Sequence, residues 1–193
     1  MELRDTLSSF GKVSIANHWI TAVLIVGMLA FGWYIEDLPK GPEKAALIGW
    51  HKSFGLTVLI LTLFRFVWRR QNPTPTPLGQ ATPAQLKVAT SVQHVLYAAM
   101  AAMPLTGWLM SSSAGRDVSF FEMFTLPPLF WKSEFFNGVF HWLHSTVAII
   151  LVIALALHIA AALKHHFIER NDTLNRMLGK PLQEAAPESS SAG

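Results

Sequence analysis

The chain has 193 residues, 51% hydrophobic and 14% charged, with a formal net charge of +3 and a mean hydropathy of +0.35. A soluble domain carries roughly 25% charged residues, so the composition argues for a membrane protein. The few basic residues fall in short clusters beside long apolar runs, which excludes nucleic acid as a partner. Cysteine is absent, which removes disulfides, thiolate metal sites, iron–sulfur clusters and covalent haem attachment through C-x-x-C-H.

A helix needs about 20 apolar residues to cross the hydrocarbon core, and four runs qualify: residues 15–35, 45–68, 88–112 and 139–163. The first is longer than the roughly 7–15 residue apolar core of a signal peptide, and no small-residue cleavage site follows it, so it reads as a retained span. The connection 36–44 is short and makes the first two spans antiparallel neighbours. The next contains Asn72-Pro73-Thr74-Pro75-Thr76-Pro77, which cannot continue a helix and is expected to run extended in water. The third connection mixes Arg116, Asp117, Phe120, Phe121, Phe124, Trp131 and prolines, as an interfacial loop or lid does. The predicted architecture is an all-α, integral-membrane four-helix bundle over residues 1–178, with a polar, disordered tail at 179–193. The two halves show no internal repeat.

Ten Lys and Arg flank the face holding both termini and the second connection, against five on the other. The positive-inside rule therefore predicts cytoplasmic termini.

The spans contain His18, His51, His94, His141, His144 and His158 but no Asp or Glu. Ion pumps and carriers rely on intramembrane carboxylates, whereas neutral imidazoles suit a metal that carries its own compensating ligands, such as haem b. His144 and His158 are 14 residues apart, about 40° short of four full turns and roughly 21 Å in rise, so they share one helix face at two depths. His141 falls about 100° off that face and reads as interfacial. By depth, His51 matches His144. His18 and His94 both match His158, and spacing does not separate them.

Ser14, Ser53 and Ser145 are candidate acceptors for imidazole N–H groups, and Gly27, Gly32, Gly55 and Gly107 leave room in the spans. Arg65, one turn inside its span, and Lys52, beside His51, are the candidate cations for haem propionates. Arg116 and Lys132 would attract a small anion. His165 lies about 20° off the His158 face and roughly 10 Å further along. With Lys87, it is the candidate proton donor to a quinone.

These residues resemble a known family. His18-Trp19, Trp50-His51-Lys52-Ser53-Phe54-Gly55, His94-x-x-Tyr97 with Pro104-x-x-Gly107, His144, and the run from His158 to His165-His166-Phe167 are similar to the bacterial cytochrome b561 family over about residues 10–178. The resemblance implies a bundle in the inner membrane holding two b-type haems, with His51 and His144 on the outer one. It implies His18 and His158 on the inner one, which tips the choice against His94. It further implies electron transfer between a periplasmic-side donor, superoxide or a redox protein, and ubiquinone, as in superoxide oxidases. The alternatives are a cytochrome b anchor subunit of a hydrogenase or dehydrogenase, and a histidine-lined metal transporter. Membrane lipid is the remaining partner.

Overall fold

A computed structural model of the protein describes residues 2–78 and 82–180. Most of the expected tail, from residue 181, lies outside the described residues. Four long helices dominate: α1 (Lys12–Asp37), α2 (Pro42–Arg70), α3 (Pro83–Ser113) and α4 (Glu134–Leu163). They hold 26, 29, 31 and 30 residues, enough at about 1.5 Å per residue to exceed the roughly 30 Å hydrocarbon layer.

Each helix starts before its apolar run, and in α2, α3 and α4 a local signal marks the start. Pro42 and Pro83 occupy the first turns of α2 and α3, where the missing N–H is no loss. Thr82 and Gln85 form a reciprocal capping box, and the Ser133 hydroxyl accepts the Phe136 N–H at 3.4 Å to start α4.

α1 packs along α2, α2 along α3, and α3 most extensively along α4. The buried core is small: Ile25, Val58, Ala99, Met100 and Leu151 meet at mid-bundle. Large apolar side chains such as Val23, Ile60, Ile149 and Ile153 are exposed. Lipid, in place of other helices, covers that surface.

The third connection is more ordered than a surface loop. Strands β1 (Val118–Phe120) and β2 (Phe124–Leu126) pair antiparallel, with Ser119 opposite Thr125. Ser53 of α2 holds this hairpin: its hydroxyl accepts the Phe121 N–H at 2.9 Å and lies 3.1 Å from the Ser119 carbonyl. The Trp108 indole N–H donates to the Pro127 carbonyl at 3.1 Å.

At the opposite end, the proline segment is extended but held in place. Pro75 is buried, the Thr76 N–H donates to the Leu7 carbonyl, and Arg176 donates to the Thr76 carbonyl. After α4 the helix widens into a π-turn over Lys164–Ile168, and a short α5 (Thr173–Met177) follows. The Trp19 indole donates to the Met177 carbonyl at 2.8 Å and ties α5 to α1.

Candidate functional site

Four histidines meet in two pairs. The ring centroids of His18 on α1 and His158 on α4 are 6.2 Å apart. Those of His51 on α2 and His144 on α4 are 6.4 Å apart. A metal–imidazole nitrogen bond is about 2 Å and a ring nitrogen lies about 1.1 Å from its centroid, so two imidazoles facing each other across one metal ion have centroids about 6.3 Å apart. Both pairs match that span. Among the described residues no hydrogen bond joins the two rings of either pair.

A seven-residue rhythm builds this arrangement. On α4, Leu151 lies seven residues from both His144 and His158; on α2, Val58 lies seven from His51 and Arg65; on α1, Ile25 lies seven from His18 and Gly32. Seven residues bring the helix back to within about 20° of the same face, so the apolar core at Ile25, Val58 and Leu151 sits between the two histidine levels.

His144 shows how one ring is oriented. Its Nδ1 lies 3.1 Å from the Met103 carbonyl and 3.1 Å from the Thr106 hydroxyl. A carbonyl can only accept, so Nδ1 carries the proton and Nε2 keeps the lone pair that a metal requires. The Thr106 hydroxyl donates in turn to the Ala102 or Met103 carbonyl, at 2.8 and 2.9 Å. Gly107 supplies space: a Cβ there would stand 3.3 Å from His144 Cε1, and one at Gly32 would stand 3.3 Å from His51 Cε1. These two glycines admit the imidazole rings, whereas Gly27 faces open space.

Among the described residues, four buried polar atoms lack partners: Asn72 Oδ1 and Arg176 Nε at the end holding the proline segment, and, at this site, His51 Nδ1 and Arg65 Nη2. Buried polar groups are almost always satisfied, and a haem group fits the last two: iron or ordered water at the imidazole, a propionate at the guanidinium. Arg65 is aimed by Asn17, whose Oδ1 accepts from Arg65 Nε at 2.8 Å and whose Nδ2 donates to the Leu61 carbonyl at 3.3 Å. Asn17 is itself buried and adjacent to His18. Helical spacing does not single it out, although a lone amide inside an apolar run is a signal for it.

The other expected residues divide. His94 and His141 are exposed, and the ring partner of His158 is His18. Lys52 donates to the Asp117 carbonyl at 2.8 Å, which turns it toward the hairpin. Ser14 donates to Asp5 and accepts from the Trp68 indole, Ser53 serves the hairpin, and Ser145 is exposed. The histidine contact is therefore made by the Met103 carbonyl and Thr106, not by these serines. His165 does not pair with Lys87, which is exposed in the first turns of α3. Its Nδ1 lies 2.5 Å from Glu169 Oε2, and Lys164 Nζ lies 2.7 Å from the other carboxylate oxygen. The Lys164 hydrogen bond first, and that of His165 second, hold the Glu169 carboxyl below its ordinary range. The π-turn brings these groups together, because widening the helix by one residue shifts the register on which the straight-helix placement of His165 relative to His158 rested.

Four membrane-length helices enclosing paired histidines define a membrane cytochrome of the b type. The family model described as prokaryotic cytochrome b561 matches residues 9–180, and the chain belongs to that family. It is similar to cytochrome b561 homolog 2 of Escherichia coli (strain K12), 32% identical over 191 residues covering 93% of this chain and 96% of the relative. It is 29% identical over 177 residues to cytochrome b561 homolog 1 of the same organism, covering 89% and 98%. It is 24% identical over 176 residues to the probable superoxide oxidase CybB of Yersinia pestis, covering 89% and 96%. The protein is accordingly a multi-pass inner-membrane electron-transport protein that binds haem b.

Proposed function

We propose that the protein carries electrons across the membrane through two b-type haems, from a donor on the outer face to ubiquinone near the inner face, with both termini cytoplasmic. The name of the Yersinia pestis relative makes superoxide the donor to test first. The observation that carries this reading is the pair of metal-spanning histidine couples, at 6.2 and 6.4 Å, on one face of α4.

In this reading His51 and His144 hold one haem, and His18 and His158 the other. Bound haem b supplies reversible one-electron iron chemistry, whose potential the ligands and burial set. The protein supplies the rest. The Met103 carbonyl fixes the His144 tautomer and orientation. The Asn17 side chain holds Arg65 through its Nε, and the Arg65 Nη2 left without a partner would hold a haem propionate. The Ile25, Val58, Ala99, Met100 and Leu151 cluster keeps water out between the two levels. At the inner end, His165, hydrogen-bonded to Glu169, is positioned to pass protons to a quinone. Residues 1–178 act as one functional unit.

A dithionite-reduced difference spectrum with haem extraction, followed by stopped-flow mixing with superoxide and quinone, tests the proposal. Two haems per chain and superoxide-driven quinone reduction by the purified protein are expected. Absence of a reducible haem spectrum refutes it. Electron transfer seen only in the presence of a copurifying dehydrogenase would reassign the protein as an anchor subunit.

A further inference from the structure

The paired histidines leave a second feature unexplained. A cavity of about 470 Å³ lies between the first turns of α2 and the β1–β2 hairpin, with Gly49, Trp50, Lys52, Arg116, Phe121 and Glu122 in its wall. Small side chains make it: nothing lies within 4 Å of the position a Cβ would take at Gly49, and Ala46 lines the next turn.

Its roof is strained. The Met123 N–H donates to the Phe120 carbonyl at 2.9 Å across a turn whose two central residues, Phe121 and Glu122, have φ of 47° and 59°. This is the geometry that normally requires Asn-Gly. Side chains are kept in such backbone only where the surroundings over-determine them, commonly at ligand sites. Here buried Ser53 holds the Phe121 N–H, and Phe121 and Glu122 both line the cavity.

The size and chemistry select a ligand. A diatomic anion needs little more than the roughly 30 Å³ of a water molecule, while cavities of about 300–1,000 Å³ hold ring-sized organic molecules. Trp50 and Phe121, with ring centroids 5.8 Å apart, offer apolar walls to a planar ring. Lys52 and Arg116 are donors for carbonyl oxygens, and Glu122 is an acceptor for the hydroxyl of a reduced ring. Ala45 and Ala46 are exposed on the flank of α2, where an apolar tail can remain in lipid.

We infer that this cavity binds the head group of a membrane quinone, as a second quinone site beside the His51–His144 pair and at the opposite end of the bundle from His165. The inference rests on the reading of the chain as quinone-coupled. It is tested on the haem-loaded protein in lipid nanodiscs, by titrating decylubiquinone and measuring binding stoichiometry. Wild type is expected to bind two per chain. Gly49→Phe and, independently, Ala46→Leu fill the cavity and should weaken one of the two sites at least tenfold with haem content and reduced spectrum unchanged. A single site in wild type that neither variant alters overturns the second site and leaves the inner one standing. Two sites unaffected by both variants also overturn it. No binding at all removes the quinone reading itself. Slower reduction by superoxide in Gly49→Phe with unchanged decylubiquinone binding would assign the cavity to a small anion and overturn the inference.

Discussion

Replacing His144 with Leu should remove one haem and spare the other. The two histidine levels are 14 residues apart on α4, about 21 Å at the helical rise, and the Ile25, Val58 and Leu151 cluster fills the interval. Groups separated by more than about 7–10 Å without shared partners perturb each other little. The main residual coupling is the charge of the missing centre. One unit charge at about 21 Å and an effective dielectric of about 20 is worth about 0.8 kcal/mol, and at 59 mV per 1.4 kcal/mol for one electron this is about 35 mV. His144→Leu should therefore halve the haem extracted per chain and move the midpoint of the remaining haem by no more than about 35 mV in a redox titration. His158→Leu should give the reciprocal result. Equal loss of both haems in either variant, or a shift above about 100 mV, would refute the assignment of the pairs to two separate sites.

Gly107→Val places branched carbons where a Cβ alone already stands 3.3 Å from His144; overpacking of about 1–3 kcal/mol should show as selective loss of the haem at His144 in difference spectra. Asn17→Ala removes the 2.8 Å acceptor of Arg65, a hydrogen bond to a charged group worth about 1.5–3 kcal/mol, and should lower the thermal midpoint of the haem-loaded protein, with Asn17→Asp restoring it. Ser53→Ala deprives the Phe121 N–H of its acceptor; the hairpin should open more often, and a loss of about 1.4 kcal/mol would raise proteolytic cleavage at residues 121–123 roughly tenfold. The Glu169 pKa is depressed below 4.5 by Lys164 and His165. Its contacts therefore stabilise the π-turn above the ordinary carboxylate range and are lost as pH falls through the lowered value. The hydrogen-exchange protection factor over Lys164–Ile168, corrected for the intrinsic rate at each pH, should thus fall only in acid, and Glu169→Gln should abolish that pH step.

Much of this protein is written locally. The four spans are legible because each must satisfy its backbone hydrogen bonds alone in lipid, so a long apolar run admits no other structure. The shared face of His144 and His158 is legible because helix geometry is rigid. What pairs across helices is less so. Depth alone left His18 and His94 open; packing α1 against α2, with α4 facing them across the imidazoles, brings the His18 ring to His158 and leaves His94 at the surface. Asn17, Met103 and Thr106 act through contacts that spacing does not encode, since a carbonyl acceptor exists at every residue and only the α3–α4 approach selects Met103.

A cysteine-free membrane bundle whose histidines, at two depths, suit haem follows from the residues alone. Tertiary structure decided the partners: which imidazoles face each other, which serines were already engaged, where Lys52 points, and that the third connection folds as a hairpin over a cavity. The physical reason is the same throughout. Transfer from water to lipid acts on each segment separately, whereas a hydrogen bond or a metal-spanning pair exists only when two segments arrive within a few ångströms of one another.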